Sequence, residues 1–396
     1  MIYLFLLILI LIGVYKYDLK PLKYKGVGYK NLEFVVFLLL VLIPGLSYRI
    51  GVDTPGYMRD YDMSLPLSKL SLNYLRYYSD EYGWLFFQSI CKSLFDEYAF
   101  MHTMQCLLLH LSLYYFIAKL SSRHFIVLLL YTITVWGHLC FEALRESLAY
   151  SIFLIALCKY IQTNSIKKFL LYSIPCLFFH KFAFVPVIST FIAISYTRNR
   201  IYATLLVGMV VVLLIANYNT LLSLMWAGKA DDVSNVIDYY HDSNTSGSFK
   251  MSPIGTTLYL FSLVVPCLVL ICIDKKIALF SKNYVAVLLV MAFIGIVSSF
   301  LSDFRRIWYY FLPFLSVCLG DLLERKSILF SKARIVNWQY KILNLSIIYL
   351  IFSGVLGFCR PSAIEFRKHI HYNVFYFPYS SVFSEDKDPL REAIAH

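Results

Sequence analysis

Long apolar stretches, broken by short polar segments, recur along the whole chain. Many approach the ~20 residues with which a helix crosses a ~30 Å hydrocarbon core. The pattern predicts helices at 1–15, 32–48, 98–118, 125–141, 147–162, 168–180, 182–196, 201–226, 254–273, 284–301, 307–323 and 342–359. Because no polar segment is long enough for a soluble domain, we expect one all-α, polytopic membrane domain over residues 1–396. It would have about 12 transmembrane helices, within a range of roughly 10–13.

Three stretches depart from simple threading. The helices 168–180 and 182–196 are short for a full crossing and meet at His180, so a broken or re-entrant pair is an alternative to two spans. The stretch 84–95 is apolar but carries a lysine and ends at two acidic residues, which favours an interfacial helix. The first helix, 1–15, lacks a basic n-region and a cleavage site, so we expect it to be retained.

Composition agrees with a membrane protein, since 59% of the residues are hydrophobic and only 15% are charged. The net charge of +12 is explained by attraction to anionic lipid headgroups. Nucleic-acid binding is not supported because the basic residues are dispersed over short loops. The nine cysteines form no CxxC pair and are interpreted as small buried hydrophobes.

Basic residues are unequally divided between the two predicted sides of the membrane. With helix ends included, one side carries 20 Lys and Arg against 5 Asp and Glu, and the other carries 16 against 19. The more basic side is cytoplasmic by the positive-inside rule. Its loops are 16–31, 119–124, 163–167, 197–200, 274–283 and 324–341. Both termini are then extracytoplasmic, together with the outer loops 49–97 and 227–253 and the C-terminal tail 360–396.

Polar clusters at the predicted outer ends of helices are the candidates for chemistry, because charge held there is costly unless it has a function. The first cluster contains Arg49, Asp53, Thr54 and Tyr57. Gly51 allows a turn directly after the helix, which would hold Arg49 and Asp53 close together. The planar guanidinium suits phosphate oxygens. The alternative is an interfacial Arg49–Asp53 salt bridge that only ends the helix.

A second cluster, Glu142, Arg145 and Glu146, begins the next predicted helix. The spacings i, i+3 and i, i+4 place these charges on one face, where they can pair with one another or line a cavity. His180 is the third candidate, because the ordinary pKa of histidine, ~6.5, suits a general base. A lone histidine among aromatic residues is also common as a packing residue.

The fourth cluster lies at the start of the helix predicted at 307–323. It contains Arg305, Arg306, Tyr309 and Tyr310. Adjacent arginines point about 100° apart on a helix, so only one of them would line a given cavity. Two cations beside aromatic rings can bind phosphate, whereas the alternative is an Asp303–Arg305 pair with aromatic membrane anchors.

Other chemistries have little support. The polar stretch 230–250 looks like a mobile loop over a cavity. His369 and His371 lack a carboxylate or cysteine at metal-ligand spacing, so we expect no metal. Walker-A, GxGxxG, GxSxG and HExxH motifs are missing from the sequence, which argues against ATP-driven transport, nucleotide cofactors and common hydrolase mechanisms.

Several of these elements together resemble a known family. They are Arg49-x-Gly51-x-Asp53-Thr54-x-x-Tyr57, Glu81-Tyr-Gly83, Arg145-Glu146-x-x-Ala149, His180 and Arg306-x-x-Tyr309-Tyr310. In order and approximate spacing they resemble the EpsG family of bacterial exopolysaccharide proteins, which is similar to the Wzy-type polymerases of O-antigen and capsule synthesis. The resemblance covers roughly residues 30 to 320.

The resemblance implies glycosyl transfer at the outer face of the bacterial cytoplasmic membrane. The donor would be a glycan repeat on undecaprenyl pyrophosphate, and the acceptor would be the terminal sugar hydroxyl of another lipid-linked repeat. No cofactor is needed because the lipid pyrophosphate is the leaving group. Besides this substrate and the bilayer, a chain-length regulator and the flippase of the same pathway would be the partners.

The candidate residues suit such a transfer. Fixed guanidinium groups can stabilise the negative charge on the departing pyrophosphate without a metal. Arg49, Arg145 and Arg306 are the candidates for this role. The attacking hydroxyl must lose a proton, for which Asp53 ranks first and His180 second. The remaining candidates are Glu142 and Glu146 for catalysis, and Thr54, Tyr57, Arg305, Tyr309 and Tyr310 for substrate binding.

Two other classes remain open. A flippase or transporter of lipid-linked sugars would share the helices and arginines, but it would usually show an internal repeat and polar residues near helix midpoints. A membrane O-acyltransferase would also use histidine and arginine, with acyl-CoA arriving from the cytoplasmic side. The predicted clusters face away from that side, which favours the polymerase.

Overall fold

The computed structural model describes residues 2–19, 26–71, 74, 81–198, 253–277, 280–298, 304–324, 335–359, 376 and 379–383. Within these residues the secondary structure is helical, apart from an isolated antiparallel β-bridge between Ser47 and Ser381. The predicted all-α class is confirmed. The helix predicted at 201–226, the outer loop 227–253 and most of the tail 360–396 lie outside the described residues.

The first part of the chain forms ten α-helices within the described residues 2–198. They are α1 Ile2–Gly13, α2 Val27–Gly45, α3 Thr54–Met63, α4 Tyr82–Leu94, α5 Tyr98–Leu120, α6 His124–Tyr131, α7 Leu144–Thr163, α8 Ile166–Ser173, α9 Cys176–Phe179 and α10 Phe184–Arg198. Short π-helical segments follow α1 at Val14–Asp18 and α6 at Thr132–Trp136 and His138–Glu142. Short 3₁₀ turns lie at Leu67–Lys69 and Lys181–Ala183.

The second part contributes further helices. They are α11 Pro253–Leu263, α12 Val265–Ile277, α13 Lys282–Val297, α14 Phe304–Tyr309, α15 Leu312–Glu324 and α16 Ile335–Cys359. The predicted helices at 254–273 and 307–323 are therefore each divided in two. Pro266 at the start of α12 and Pro313 at the start of α15 explain the divisions, because proline cannot donate the backbone hydrogen bond of a helix interior.

The core lies along α5 and α7, which pack against each other. α2 covers α5 on one side, and α8 covers α7. Aromatic side chains such as Phe116, Tyr131 and Phe153 are fully buried between these helices. The described cysteines are buried and unpaired except for Cys272, which is unpaired but exposed, in agreement with their interpretation as small hydrophobes.

Much of the outer surface of the helices is apolar. Large apolar side chains that remain exposed include Phe5, Ile8, Phe34, Leu38, Leu111, Leu171, Leu289, Phe293, Ile348 and Phe352. Two helices, Val27–Gly45 and Tyr98–Leu120, are long and apolar enough to cross a membrane, and several shorter helices are apolar. The threading of about 12 spans and its orientation stay predictions.

The predicted interruption near His180 is present. α8 ends at Ser173, one short helical turn follows, and His180 adopts an extended conformation with φ −155° and ψ 124°. The chain then resumes as α10. The predicted interfacial helix is also found, as α4, and with 13 residues it is too short to cross a ~30 Å core. Its location at the interface stays a prediction.

The helices bring two groups of polar residues to opposite ends of the bundle. At one end, which we call the site end, lie the loop after α2, the start of α4, the junction before α7 and the His180 break. At the opposite end, Asp18 Oδ2 accepts a hydrogen bond of 2.7 Å from the Ile126 N–H, and His124 contacts the Glu33 carboxylate. Each contact joins the start of α6 to an earlier part of the chain.

Candidate functional site

The loop after α2 carries the first predicted cluster. Its conformation is fixed by Gly51 and Thr54. Gly51 has φ +96°, and a Cβ there would lie 2.7 Å from the Phe141 carbonyl oxygen, so only glycine fits. Thr54 is fully buried, and its hydroxyl lies 2.5 Å from the Ile50 carbonyl oxygen and 2.7 Å from that of Phe141. We therefore assign Thr54 to support of the loop, although the sequence suggested substrate contact.

The partner of this loop is the π-helical segment His138–Glu142. π-turns inside α-helices occur often at functional sites. Here the carbonyl oxygen of Cys140 lies 2.6 Å from His102 Nε2, and that of Phe141 meets Thr54. Because α3 and α5 hold two successive carbonyl groups, the end of the segment is fixed, and with it the backbone of Glu142.

Glu81 joins three segments that are distant in sequence. Its Oε2 accepts a hydrogen bond of 2.8 Å from Arg145 Nη1, and its Oε1 lies 2.8 Å from His180 Nδ1 and 3.3 Å from the Lys181 N–H. Gly83 allows this approach, since a Cβ there would lie 2.8 Å from the Phe178 carbonyl oxygen. The carboxylate thus fixes the start of α7 and the break between α9 and α10.

The electrostatics of this contact favour an ionised Glu81. Burial alone would disfavour the charge, but the hydrogen bond with His180 and the charge of Arg145 outweigh it and lower the pKa of Glu81 below its usual value. Arg145 stays accessible, because its side chain is 44% exposed whereas that of Glu81 is 7% exposed. Its guanidinium also lies 5.9 Å from the centre of the Tyr57 ring. One part of Arg145 is therefore anchored while another faces open space.

Asp53 is the accessible carboxylate of the first cluster. Solvent reaches its side chain, yet the surrounding protein removes part of its hydration. This desolvation and the nearby charge of Glu142 raise the pKa of Asp53, against the lowering effects of Arg306, His138 and Arg145. A carboxylate with a raised pKa is a better proton acceptor for a hydroxyl. The same influences show that two arginines and a histidine lie around Asp53.

A histidine between two glutamates forms the other half of the site. His138 Nδ1 lies 3.2 Å from Glu142 Oε2, and His138 Nε2 lies 3.8 Å from Glu146 Oε2. The second distance is too long for a hydrogen bond. The hydroxyl of Tyr376 donates to Glu142 Oε1. Both oxygens of the Glu142 carboxylate are therefore engaged, each by a different part of the chain.

α14 brings the fourth predicted cluster to the same place. Arg306 is exposed and acts on Asp53, and the Tyr309 ring lies 5.9 Å from that of His138. Tyr310 is buried among aromatic side chains instead. Tyr310, predicted to bind substrate together with Tyr309, therefore lies in the core, and the expectation that only one of the two adjacent arginines lines a cavity stays a prediction. The side chain of Arg305 lies outside the described residues.

Arg49 lies at the edge of the site. It has φ +51°, a conformation that non-glycine residues adopt at a cost of roughly 1–2 kcal/mol. Its guanidinium lies 5.2 Å from the centre of the Tyr48 ring, next to the β-bridge with the C-terminal segment. The largest electrostatic influences on Asp53 come instead from Glu142, Arg306, His138 and Arg145.

The structure therefore brings most of the predicted residues into one neighbourhood. They are Asp53, Tyr57, Glu142, Arg145, Glu146, His180, Arg306 and Tyr309. Among the described residues, no group of three His, Cys, Asp or Glu side chains is arranged to hold a metal. A metal-independent reaction stays a prediction.

Sequence reasoning did not assign site roles to Glu81, His138 or Tyr376. Glu81 belongs to the Glu81-Tyr-Gly83 element of the family resemblance, and this element could have marked it as a site residue. His138 precedes Glu142 by one helical turn and Glu146 by two, and this spacing could have revealed it. Tyr376 is 234 residues from Glu142, and no local pattern connects the two.

Comparison with known proteins gives one result. The family model of the EpsG family matches residues 30–381. Neither a curated protein nor a solved structure matches the chain. The match includes the loop after α2, Glu81, the start of α7, the His180 break, α14 and the C-terminal residues at the β-bridge. Since it extends over most of the 396 residues, the chain belongs to the EpsG family.

Proposed function

We propose that this protein is a polysaccharide polymerase of the bacterial cytoplasmic membrane. It transfers a glycan from undecaprenyl pyrophosphate to the terminal sugar hydroxyl of another lipid-linked repeat, on the outer face of the membrane. Family membership implies a role in exopolysaccharide synthesis, and the polymerase step is our addition to it. The apolar exterior of the helices supports contact with a bilayer, from which a polyprenyl substrate would enter.

The convergence of accessible charges around Asp53 carries the proposal. Arg145 and Arg306 come from segments far apart in sequence, yet both act on the Asp53 carboxylate. Both arginines are exposed to solvent, so a ligand can reach them. A carboxylate within electrostatic range of two exposed guanidinium groups supports a proton acceptor near a site for a diphosphate.

The proposed step is a single displacement at the anomeric carbon of the donor. The acceptor hydroxyl oxygen forms the new bond to this carbon, and its proton passes to the Asp53 carboxylate. The bond between the anomeric carbon and the pyrophosphate oxygen breaks, and the oxygen keeps the electron pair. Arg145 and Arg306 stabilise the charge that develops on the leaving diphosphate. Glu81 holds Arg145 in the orientation that this requires.

Analysis of lipid-linked glycans with and without the protein tests the proposal. Cells that lack the protein should accumulate single repeats on the polyprenyl lipid at the outer leaflet and should make no long polymer. Long polymer in those cells would contradict the proposal. Repeats trapped at the inner leaflet would assign the flippase alternative. A full-length polymer that lacks acyl groups would assign the O-acyltransferase.

The orientation needs a separate test. The loop 324–341 is predicted to be cytoplasmic because of its basic residues. A phosphatase reporter, active only outside the cytoplasm, should be inactive when fused after Lys332. A reporter fused within 65–70, in the loop predicted to be outer, should be active. The reverse result would place the site on the cytoplasmic side and remove the substrate from its reach.

A further inference from the structure

A C-terminal segment is bound to the site by contacts from residues far apart in the chain. We call residues 379–383 the C-terminal strap. The Tyr48 N–H donates to the Ser380 carbonyl at 3.1 Å, and the Val382 N–H donates to the Leu46 carbonyl at 3.1 Å. These two bonds flank the bridge between Ser47 and Ser381, which is thus a pair without hydrogen bonds between its own backbones. The strap therefore pairs with residues 46–48, which immediately precede Arg49 in the chain.

Two tyrosines, Tyr376 and Tyr379, fasten this part of the chain to the helices. The Tyr379 hydroxyl donates to the Ile43 carbonyl oxygen at 2.9 Å, and its ring packs edge-on against Tyr3. Tyr376 is only 4% exposed, and its ring packs edge-on against Phe141 at 5.8 Å. The backbone hydrogen bonds and the ring contacts together hold this segment in one docked position.

The hydroxyl groups of Tyr376 and Tyr379 have different hydrogen-bond acceptors. That of Tyr379 meets a backbone carbonyl outside the site. That of Tyr376 meets Glu142 Oε1, while His138 lies 3.2 Å from Oε2 of the same carboxylate. A carboxylate held at both oxygens cannot rotate, and the direction of its charge toward the site is fixed. Asp53, in the loop after α2, lies near enough for the charge of this carboxylate to raise the pKa of Asp53.

We propose that the C-terminal strap stays docked against residues 46–48 during the reaction and that Tyr376, three residues before the strap, is a positioning residue, which orients Glu142 for the transfer reaction. This inference rests on the proposed function for its effect on rate. The sequence predicts an outer tail at 360–396 and indicates no catalytic role for this part of the chain. The family match extends through residue 381 and therefore includes the strap up to the bridge.

Kinetics of two matched tyrosine variants test the role of Tyr376. Purified protein in lipid nanodiscs would extend lipid-linked glycan isolated from cells that lack the protein. Tyr376→Phe should lower kcat about tenfold, because hydrogen bonds to charged groups are worth more than neutral ones, with KM unchanged within about twofold. Tyr379→Phe removes a hydroxyl from the same segment but not from the site, so kcat should stay within about twofold of the wild type.

The double variant separates positioning from packing. If Tyr376 acts through Glu142, adding Tyr376→Phe to Glu142→Gln should lower kcat no further than Glu142→Gln alone. Independent, multiplying losses would overturn the proposal. Equal kcat in Tyr376→Phe and the wild type, or in Tyr376→Phe and Tyr379→Phe, would overturn it too. A rise in KM alone would assign Tyr376 to substrate contact instead.

A disulfide tests the docked strap without relying on activity. Antiparallel pairs without mutual hydrogen bonds bring their Cα atoms to ~4.5 Å, which suits a disulfide. Ser47→Cys with Ser381→Cys should therefore cross-link under mild oxidation, whereas Ser47→Cys with Ser380→Cys should not. Peptide mapping distinguishes this bond from the native cysteines. Failure to cross-link would contradict the docked strap.

The two tests keep the two proposals separate. Wild-type protein that does not extend the glycan would end the proposed polymerase function, while the cross-link would still report on the strap. If the wild type is active, the cross-linked variant should keep its activity, because the strap stays docked during the reaction. Loss of activity on cross-linking, restored by reduction, would show that the strap must leave and would overturn the inference.

Discussion

The site end and the opposite end of the bundle both contain buried polar contacts, but the charged groups that make these contacts differ in exposure. At the opposite end, Asp18 is 1% exposed and His124 is 9% exposed, and their contacts join α6 to earlier parts of the chain. At the site end, Arg145 is 44% exposed while its partner Glu81 is buried. Asp53 and Arg306 are exposed as well.

This difference separates two uses of charge. A buried carboxylate that accepts a hydrogen bond from one of the first free N–H groups of a helix, as Asp18 does from Ile126 at the start of α6, stabilises that end. An arginine that is anchored at one edge and open at another, as Arg145 is, can be reached by a ligand. Polar residues at helix ends are therefore insufficient evidence of a site, and accessibility combined with anchoring is the better criterion.

Replacement of the open carboxylate should have the largest effect. Asp53→Asn should lower the rate of glycan extension about 10²–10⁴-fold, the usual value of a general base. Because the pKa of Asp53 is raised, the wild-type rate should fall with acid at a pH above the usual aspartate value of about 3.9. Asp62→Asn, on an exposed position of the same helix α3, is the matched control and should keep the wild-type rate. A normal rate in Asp53→Asn would assign the base elsewhere.

Replacement of the exposed Arg145 should have the second largest effect on glycan extension. Arg145→Ala should lower glycan extension about 10²-fold, by loss of a fixed cation at the leaving group. Lys159, near the opposite end of the same helix α7, lies 5.5 Å from the Tyr115 ring, and Lys159→Ala should leave extension near normal. Both measurements need normalisation to inserted protein. Equal losses in the two variants would remove the distinction between the ends.

The all-α class and the positions of many helices were predictable because a hydrophobic pattern is local information, whereas the threading of about 12 spans stays a prediction. Predicted and observed helices agree closely at 98–118, seen as Tyr98–Leu120, and at 147–162, seen as Leu144–Thr163. The π-helical segment His138–Glu142 was not predictable, because its Cys140 and Phe141 carbonyl groups are held by His102 and Thr54 from other helices. A period of 3.6 residues does not reveal such contacts.

The site was predictable where residues share a helix face or a family element, as with Glu142, Arg145 and Glu146. Contacts between charged side chains that are distant in sequence were not predictable, because the sequence offers several possible partners for each charged residue. Arg49 and Asp53 were considered as a salt bridge, yet Arg49 lies over Tyr48 while Arg306 acts on Asp53. Tyr376 could be placed only by the tertiary structure.

Loss of the anchor should have a smaller effect than loss of the arginine. Glu81→Gln should lower glycan extension about tenfold, since Arg145 keeps its charge but loses its fixed orientation. It should also lower the free energy of unfolding by about 1–2 kcal/mol, a modest value because solvent screens the exposed Arg145. The native pKa of Glu81 is lower than its unfolded value, so its stabilisation is complete above about pH 4.3 and is lost as the pH falls through the native pKa.

Thermal unfolding in detergent between pH 3 and pH 7 measures this dependence. The wild type should lose stability more steeply than Glu81→Gln on the acid side, and the two curves should converge there. Glu97→Gln, an exposed residue before α5, provides the control and should follow the wild type. Parallel curves for Glu81→Gln and the wild type would contradict an ionised, hydrogen-bonded Glu81.

A substitution at the opposite end of the bundle should have the smallest effect on the rate of glycan extension. Glu33→Gln weakens the contact with His124 and should lower the unfolding midpoint. The rate per folded molecule should stay within about twofold of the wild type, because no ligand contact is lost. A large loss of rate in folded Glu33→Gln would show that the opposite end also takes part in the reaction.

Reconstitution of the purified protein with its substrate is the most direct test of the central claim. Lipid-linked single repeats from cells that lack the protein would be added to liposomes that contain the wild type or Arg145→Ala. The account predicts a ladder of longer lipid-linked glycans with the wild type, one polyprenyl pyrophosphate released for each repeat added, and about 10²-fold slower formation of both products with Arg145→Ala. Unchanged single repeats with folded wild-type protein would contradict it.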